Sequence, residues 1–120
     1  MKRIMFLMAM LTTTNLTAAT LTCDNTKVKH VAYHANNRLM VQLENMNQPV
    51  FFCNTEANWT VSGSPNVVGP ETCKALFSMF LSAKASGQLI ERVHFDGDDI
   101  PETCDTWGPW KSAHIRYIRF

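Results

Sequence analysis

Between Asp96 and Trp110 the chain reads DGDDIPETCDTWGPW, with five acids, one cysteine and two tryptophans in fifteen residues. Residues of these types have four possible uses. Paired carboxylates can cleave glycosides as acid and base. Acids at the right spacing can hold calcium. An indole beside acids and amides can stack on a sugar while the polar groups take its hydroxyls. The fourth use is structural: a turn tied down by its cysteine. The spacing argues against calcium, because DGDD lacks the D-x-[DN]-x-[DN]-G-x5-E pattern and Asp96-Gly97 is ordinary turn chemistry. A hydrolase built on Asp98 and Asp99 would need a deep cleft, which a chain this short barely offers. There is no G-x-S-x-G and no P-loop. The expectation is a protein without catalytic activity.

Other side chains add to the inventory. Trp107 and Trp110 flank Gly108 and Pro109, and each can serve the core or a sugar platform. Asn36, Asn37, Asn54, Asn58 and Asn66 fall in turns, and Asn58-Trp59-Thr60 matches the N-glycosylation pattern. His30 and His34 are four apart, which is about 13 Å on a strand and too far to share a metal. His94 and His114 lie on different predicted strands and can approach. Ordinary strand histidines remain the simpler reading, so no metal and no cofactor are expected.

The chain that positions these residues starts with Lys2 and Arg3, an apolar run from Ile4 to Leu11, and then TTTNLTAA. That is the layout of a secretory signal peptide, residues 1–19 with cleavage after Ala19. The apolar run is too short to span a bilayer. Residues 20–120 then form a single domain, secreted or periplasmic. Losing Lys2 and Arg3 moves the net charge from +1 to about −1, which argues against binding nucleic acid by phosphate neutralisation. Cys23, Cys53, Cys73 and Cys104 remain. An even count in a small exported domain reads as two disulfides, and the absence of C-x-x-C argues against zinc. Three pairings are possible on sequence alone.

Alternation over Thr26–His34 predicts a strand, with Val28, His30, Ala32 and His34 on one face. ANN is a turn, Arg38–Glu44 a second strand, NMNQP a turn and Val50–Cys53 a third strand. Residues 54–69 are irregular, with room for a short strand at Trp59–Ser62. Pro70–Ser86 is a helix: Pro70 suits its first position, Leu76, Phe77, Phe80, Leu81 and Ala83 recur at three and four, and Gly87 ends it. Met79 widens that stripe beyond what one sheet face needs, so the helix should touch a second surface. Leu89–Phe95 and Ser112–Phe120 complete the strands. The order β-β-β-α-β-β is that of the OB fold, a five-stranded Greek-key barrel.

Several residues now resemble a family. FFC at 51–53, Cys73 opening the helix, LFSMFLSAKASGQLIERVHF running from helix into the fourth strand, and a closing strand resemble the B subunits of bacterial AB5 toxins. The similarity is greatest to the subtilase-cytotoxin and pertussis-like typhoid-toxin group. Cys23, Cys104 and Trp107 echo the cysteine pair and following tryptophan of cholera-type B subunits. The resemblance implies the OB fold, the pairing Cys53–Cys73 and Cys23–Cys104, a homopentamer with helices lining a pore, a toxin A subunit as partner, and recognition of a sialylated or galactose-containing cell-surface glycan. The expected sugar contacts are Tyr33, Asn36 and Asn37 at the hairpin turn, Asn54 after Cys53, and Asp105 with Trp107. The rival is a monomeric periplasmic OB module that binds a protein or peptide.

Overall fold

The structure is a computed structural model of the chain and describes residues 10–12 and 19–120. The expected signal peptide therefore lies almost entirely outside the described residues. The elements are β1 (Thr20–Thr26), β2 (Val28–His34), β3 (Arg38–Leu43), β4 (Val50–Asn54), α1 (Pro70–Ser86), β5 (Ile90–Asp96) and β6 (His114–Arg119). They form two antiparallel three-stranded sheets, β1-β5-β6 and β2-β3-β4. Over the described residues the protein is mainly β with one α-helix, and the two sheets do not close into one barrel.

β1 is a strand the sequence reading did not expect. Leu21, Cys23 and Thr26 are buried along it, while Thr20 and Thr22 face out. Three threonines and the Asp24-Asn25 pair leave it little apolar signal. Asn25 takes a left-handed backbone, φ 49°, a conformation asparagine tolerates. Only Lys27 separates β1 from β2, so one ribbon leaves the first sheet and enters the second.

The single face expected for Val28, His30, Ala32 and His34 is corrected. Its register against β3 shifts between Val28 and His30. A bulge sets two residues against one and resets the alternation. Val28 is therefore buried, Lys29, His30 and Ala32 are exposed, and Val31 turns partly inward. The loosened Lys29 carbonyl accepts from Lys84 Nζ at 2.9 Å, which ties the bulge to α1. β4 breaks register in the same way. Leu39 opposes Cys53 and Met40 opposes Phe51, so Phe52 is the extra residue. It enters the core, edge-on to Phe80 with ring centroids 5.3 Å apart. Burying each of two such rings stabilises by roughly 1.5–3 kcal/mol.

α1 begins at Pro70 and ends at Gly87, whose φ of 65° is the left-handed C-cap. Gln88 N there donates to Ala83 O at 3.0 Å. The buried stripe is Cys73, Leu76, Phe80 and Ala83. Leu81, expected in that stripe, is instead exposed, as is Met79 on another side of the helix, because the sheet takes only the narrower face. The disulfides are Cys53–Cys73, which pins α1 to β4, and Cys23–Cys104, which pins the long β5–β6 connection to β1. That connection also joins the sheets. Phe51 N donates to Lys111 O and Ala113 N donates to Phe51 O, each at 2.9 Å, which makes one parallel bridge beside β4. Among the described residues no helix is long and apolar enough to cross a membrane.

Candidate functional site

The β2–β3 turn and the chain after β4 meet at one end of the second sheet. Asn36 and Asn37 make the turn with φ of 67° and 63°, again values asparagine accepts. Tyr33 Oη donates to Asn37 Oδ1 at 2.7 Å, and Asn54 Nδ2 donates to Asn36 O at 3.1 Å. Thr55 N donates to Asn37 O at 2.9 Å. Asn54 Oδ1 in turn accepts from the Glu56 and Ala57 amides at 2.8 and 3.0 Å. Four of the expected sugar contacts, Tyr33, Asn36, Asn37 and Asn54, thus form one cluster, and Tyr33 is exposed.

The other two lie elsewhere. Asp105 is exposed, accepts from Thr103 Oγ1 at 2.7 Å, and borders a recess with Asn45 and Asn47. Those asparagines belong to the β3–β4 turn, at the far end of a strand roughly 17–20 Å long. Trp107 is corrected outright as a stacking surface. It is 3% exposed, with its ring edge-on to Phe95 at 5.4 Å. Its backbone is clasped by Asn47, which donates from Nδ2 to Trp107 O at 2.8 Å and accepts from Trp107 N at 2.7 Å. A buried indole offers no face to a ligand.

The open indole is Trp110, at 68% exposure. Its φ of 56° is uncommon for so large a side chain. The bridge of residues 111–113 to Phe51 holds the backbone there. Trp110 stacks on Phe51 at 27° with centroids 6.1 Å apart, and His34 meets both rings edge-on at 5.3 and 5.6 Å. The Arg38 guanidinium lies 4.3 Å over the other ring of the stack, Phe51. Its Nε is buried without a hydrogen bond, and no carboxylate pairs with it among the described residues. Pro49, Pro109, Gln48 and Met40 complete a recess of about 160 Å³ at the edge of Trp110. His34 and Arg38 pair across the turn that holds Asn36 and Asn37, so the platform and the amide cluster share one end of the sheet, although alternation turns the His34 and Tyr33 side chains to opposite faces. Sequence reading weighed Trp107 and Trp110 equally and took Trp107 as the sugar contact, whereas the structure buries that ring and opens the other. The signal that separates them is Lys111 and Ser112, polar residues just before a strand, which put Trp110 at the surface end of the loop.

The acids that suggested hydrolysis part company: Asp98 lies against Gly63, while Asp99 faces a separate recess. Asp24 forms a two-pronged pair with Arg92, at 2.8 and 3.2 Å, which lowers its carboxyl below the ordinary value of 3.8. Asp96 is buried, with His94 Nε2 at 3.1 Å and Arg116 Nε at 3.0 Å. Both contacts lie outside hydrogen-bond geometry, and the Arg116 guanidinium attracts the Asp96 carboxylate by charge, which does not need good angles. His114, opposite Asp96, is buried, and that burial holds its imidazole below 6.5. Among the described residues no hydroxyl or thiol hydrogen-bonds to His94 or His114. Among the described residues no three metal-ligating side chains converge. Comparison with protein-family models, with curated proteins and with solved structures finds no match to this chain.

Proposed function

We propose that this protein is a non-catalytic glycan-binding domain, secreted or periplasmic, that serves as the receptor-binding subunit of a toxin-like assembly. The observation that carries the reading is Trp110. A monomeric protein rarely spends stability to hold a tryptophan open, buttressed from below and in left-handed backbone. Such a ring suits the apolar face of a sugar. Arg38, over the Phe51 ring on which Trp110 stacks, favours an acidic sugar, and the Tyr33, Asn36, Asn37 and Asn54 cluster at the same end of the sheet supplies donors and acceptors for hydroxyls. The two disulfides fit an extracytoplasmic location.

The fold belongs with this reading as an OB-type, partly open Greek-key barrel. Support comes from the continuous β1–β2 ribbon shared between the sheets and from the parallel bridge between Phe51 and Ser112. Five copies would make weak sugar sites useful by multivalency. Met79 and the recess it shares with Ser78, Ser82, Gln88 and Phe120 offer a face for that assembly. The same face also supports the rival, a monomeric module that docks a protein. A native mass of the oxidised mature chain separates them. Five copies favour the toxin-like assembly, with a toxin A subunit as its partner; one copy favours the module. Sugar binding itself is tested by following tryptophan fluorescence during titration with sialyllactose and with lactose. A change with either sugar, absent in Trp110→Ala, is expected. A spectrum unmoved by both sugars counts against the reading.

A further inference from the structure

The chain from residue 59 to 62, Asp99 and Ser112 enclose a recess of about 230 Å³ that the Trp110 platform does not use. It is built rather than accidental. Trp59 and Val68 bridge through Trp59 N to Val68 O at 2.8 Å and the reverse bond at 3.1 Å. The indole Nε1 donates to Ala113 O at 3.0 Å, which fixes the ring. Asp98 N donates to Ser62 O at 2.8 Å, and Ser112 N approaches Asp99 Oδ2 at 3.4 Å. Gly63 has a φ of 85°, and a Cβ there would fall 2.1 Å from Asp98 Oδ1. The acidic run that opens the β5–β6 connection is thus split: Asp98 locks the loop, and Asp99 lines the recess.

The lining chemistry narrows the ligand. Trp59 gives an aromatic wall. Thr60, Ser62 and Ser112 give hydroxyls, which both donate and accept. Asp99 gives a carboxylate, and no cation lines the recess among the described residues. An anion would meet an uncompensated acid, whereas a neutral polyol meets only partners. The size suits one monosaccharide ring. Ser112 lies two residues from Trp110, roughly 6–7 Å along extended chain. We propose that this recess is a second subsite for a neutral sugar residue, beside the one held at Trp110. The sugar class rests on the glycan-binding reading, but the recess has its own lining residues and its own reporter.

The test is two-dimensional NMR of the tryptophan Nε1–H signals of the full oxidised mature chain during titration with methyl β-galactoside. The Trp59 signal should move, and Asp99→Ala or Ser112→Ala should weaken that response about tenfold. Both residues are at least partly exposed, so neither variant should unfold. Trp110→Ala should leave the Trp59 response intact. Movement of Trp110 alone overturns the second subsite and leaves the platform standing. Movement of Trp59 alone supports the second subsite and leaves the platform to the sialyllactose titration. If Trp59 stays still here and with lactose, the second subsite falls, and if Trp110 also stays still with lactose and sialyllactose, both proposals fall.

Discussion

Replacing either of two nearby tryptophans by alanine should have opposite consequences. Trp107 is almost fully buried and packs its edge on Phe95. Removing a buried indole loses its transfer free energy and leaves a cavity, about 3–5 kcal/mol for a large-to-small change. One feature lowers the figure. The buried Nε1 has no hydrogen-bond partner, so its removal also relieves an unsatisfied donor, an effect of about 1–3 kcal/mol. The difference between the two places Trp107→Ala at about 2 kcal/mol. For a domain of this size that is roughly 8–16 °C of Tm. Trp110 is mostly solvated, and truncating it loses chiefly its stack on Phe51 and its edge contact with His34. Aromatic pairs contribute about 0.5–1.5 kcal/mol beyond area, and exposed substitutions usually stay within about 0.5. Trp110→Ala should therefore cost less than about 1.5 kcal/mol. Urea unfolding followed by far-ultraviolet circular dichroism, which does not depend on tryptophan emission, measures both. Equal losses, or a larger loss for Trp110→Ala, would refute the assignment of one ring to the core and the other to the surface.

The two disulfides should differ in the same assay. In the chain-entropy model, removing Cys23–Cys104, with 81 residues of separation, costs about 4.5 kcal/mol, and removing Cys53–Cys73, with 20, about 3.3. Paired serine substitutions that reverse that order contradict it. His114 predicts a pH dependence. Burial lowers its folded pKa below 6.5, against the pull of Asp96 and with the push of Arg116. The unfolded chain therefore binds the proton more readily. Its contribution to stability is complete above pH 6.5 and is lost as pH falls from 6.5 through the lowered folded value. His114→Asn should flatten urea midpoints between pH 7.5 and 5.5, and an unchanged slope would assign the effect to another group. Arg38→Gln should weaken sialyllactose more than lactose and reduce the salt dependence of binding. Equal weakening of both sugars would make Arg38 a structural prop.

Much of the fold was legible because the patterns were long and local. The helix was read to its first and last residue, since Pro70 and Gly87 punctuate it chemically. β3, β4, β5 and β6 were found, with ends off by a residue or two. What was missed depends on contacts distant in sequence. β1 carries few apolar residues, and its strand character comes from pairing with β5 some 70 residues later. The bulges in β2 and β4 are set by register against β3, so the simple alternation over Val28–His34 broke after Val28. The site was half legible for the same reason. Turn asparagines announce themselves locally, and the β3 register then brings Asn54 to them. Which of two tryptophans three residues apart turns inward is decided by Asn47, 60 residues earlier, clasping the Trp107 backbone.

The most direct test of the central claim is a glycan array probed with the oxidised mature protein beside Trp110→Ala, after circular dichroism has shown the two equally folded. The account predicts that the native protein marks a defined set of acidic or galactose-containing glycans and that Trp110→Ala loses them. A native protein that marks none, or a variant that keeps the full pattern, would contradict it.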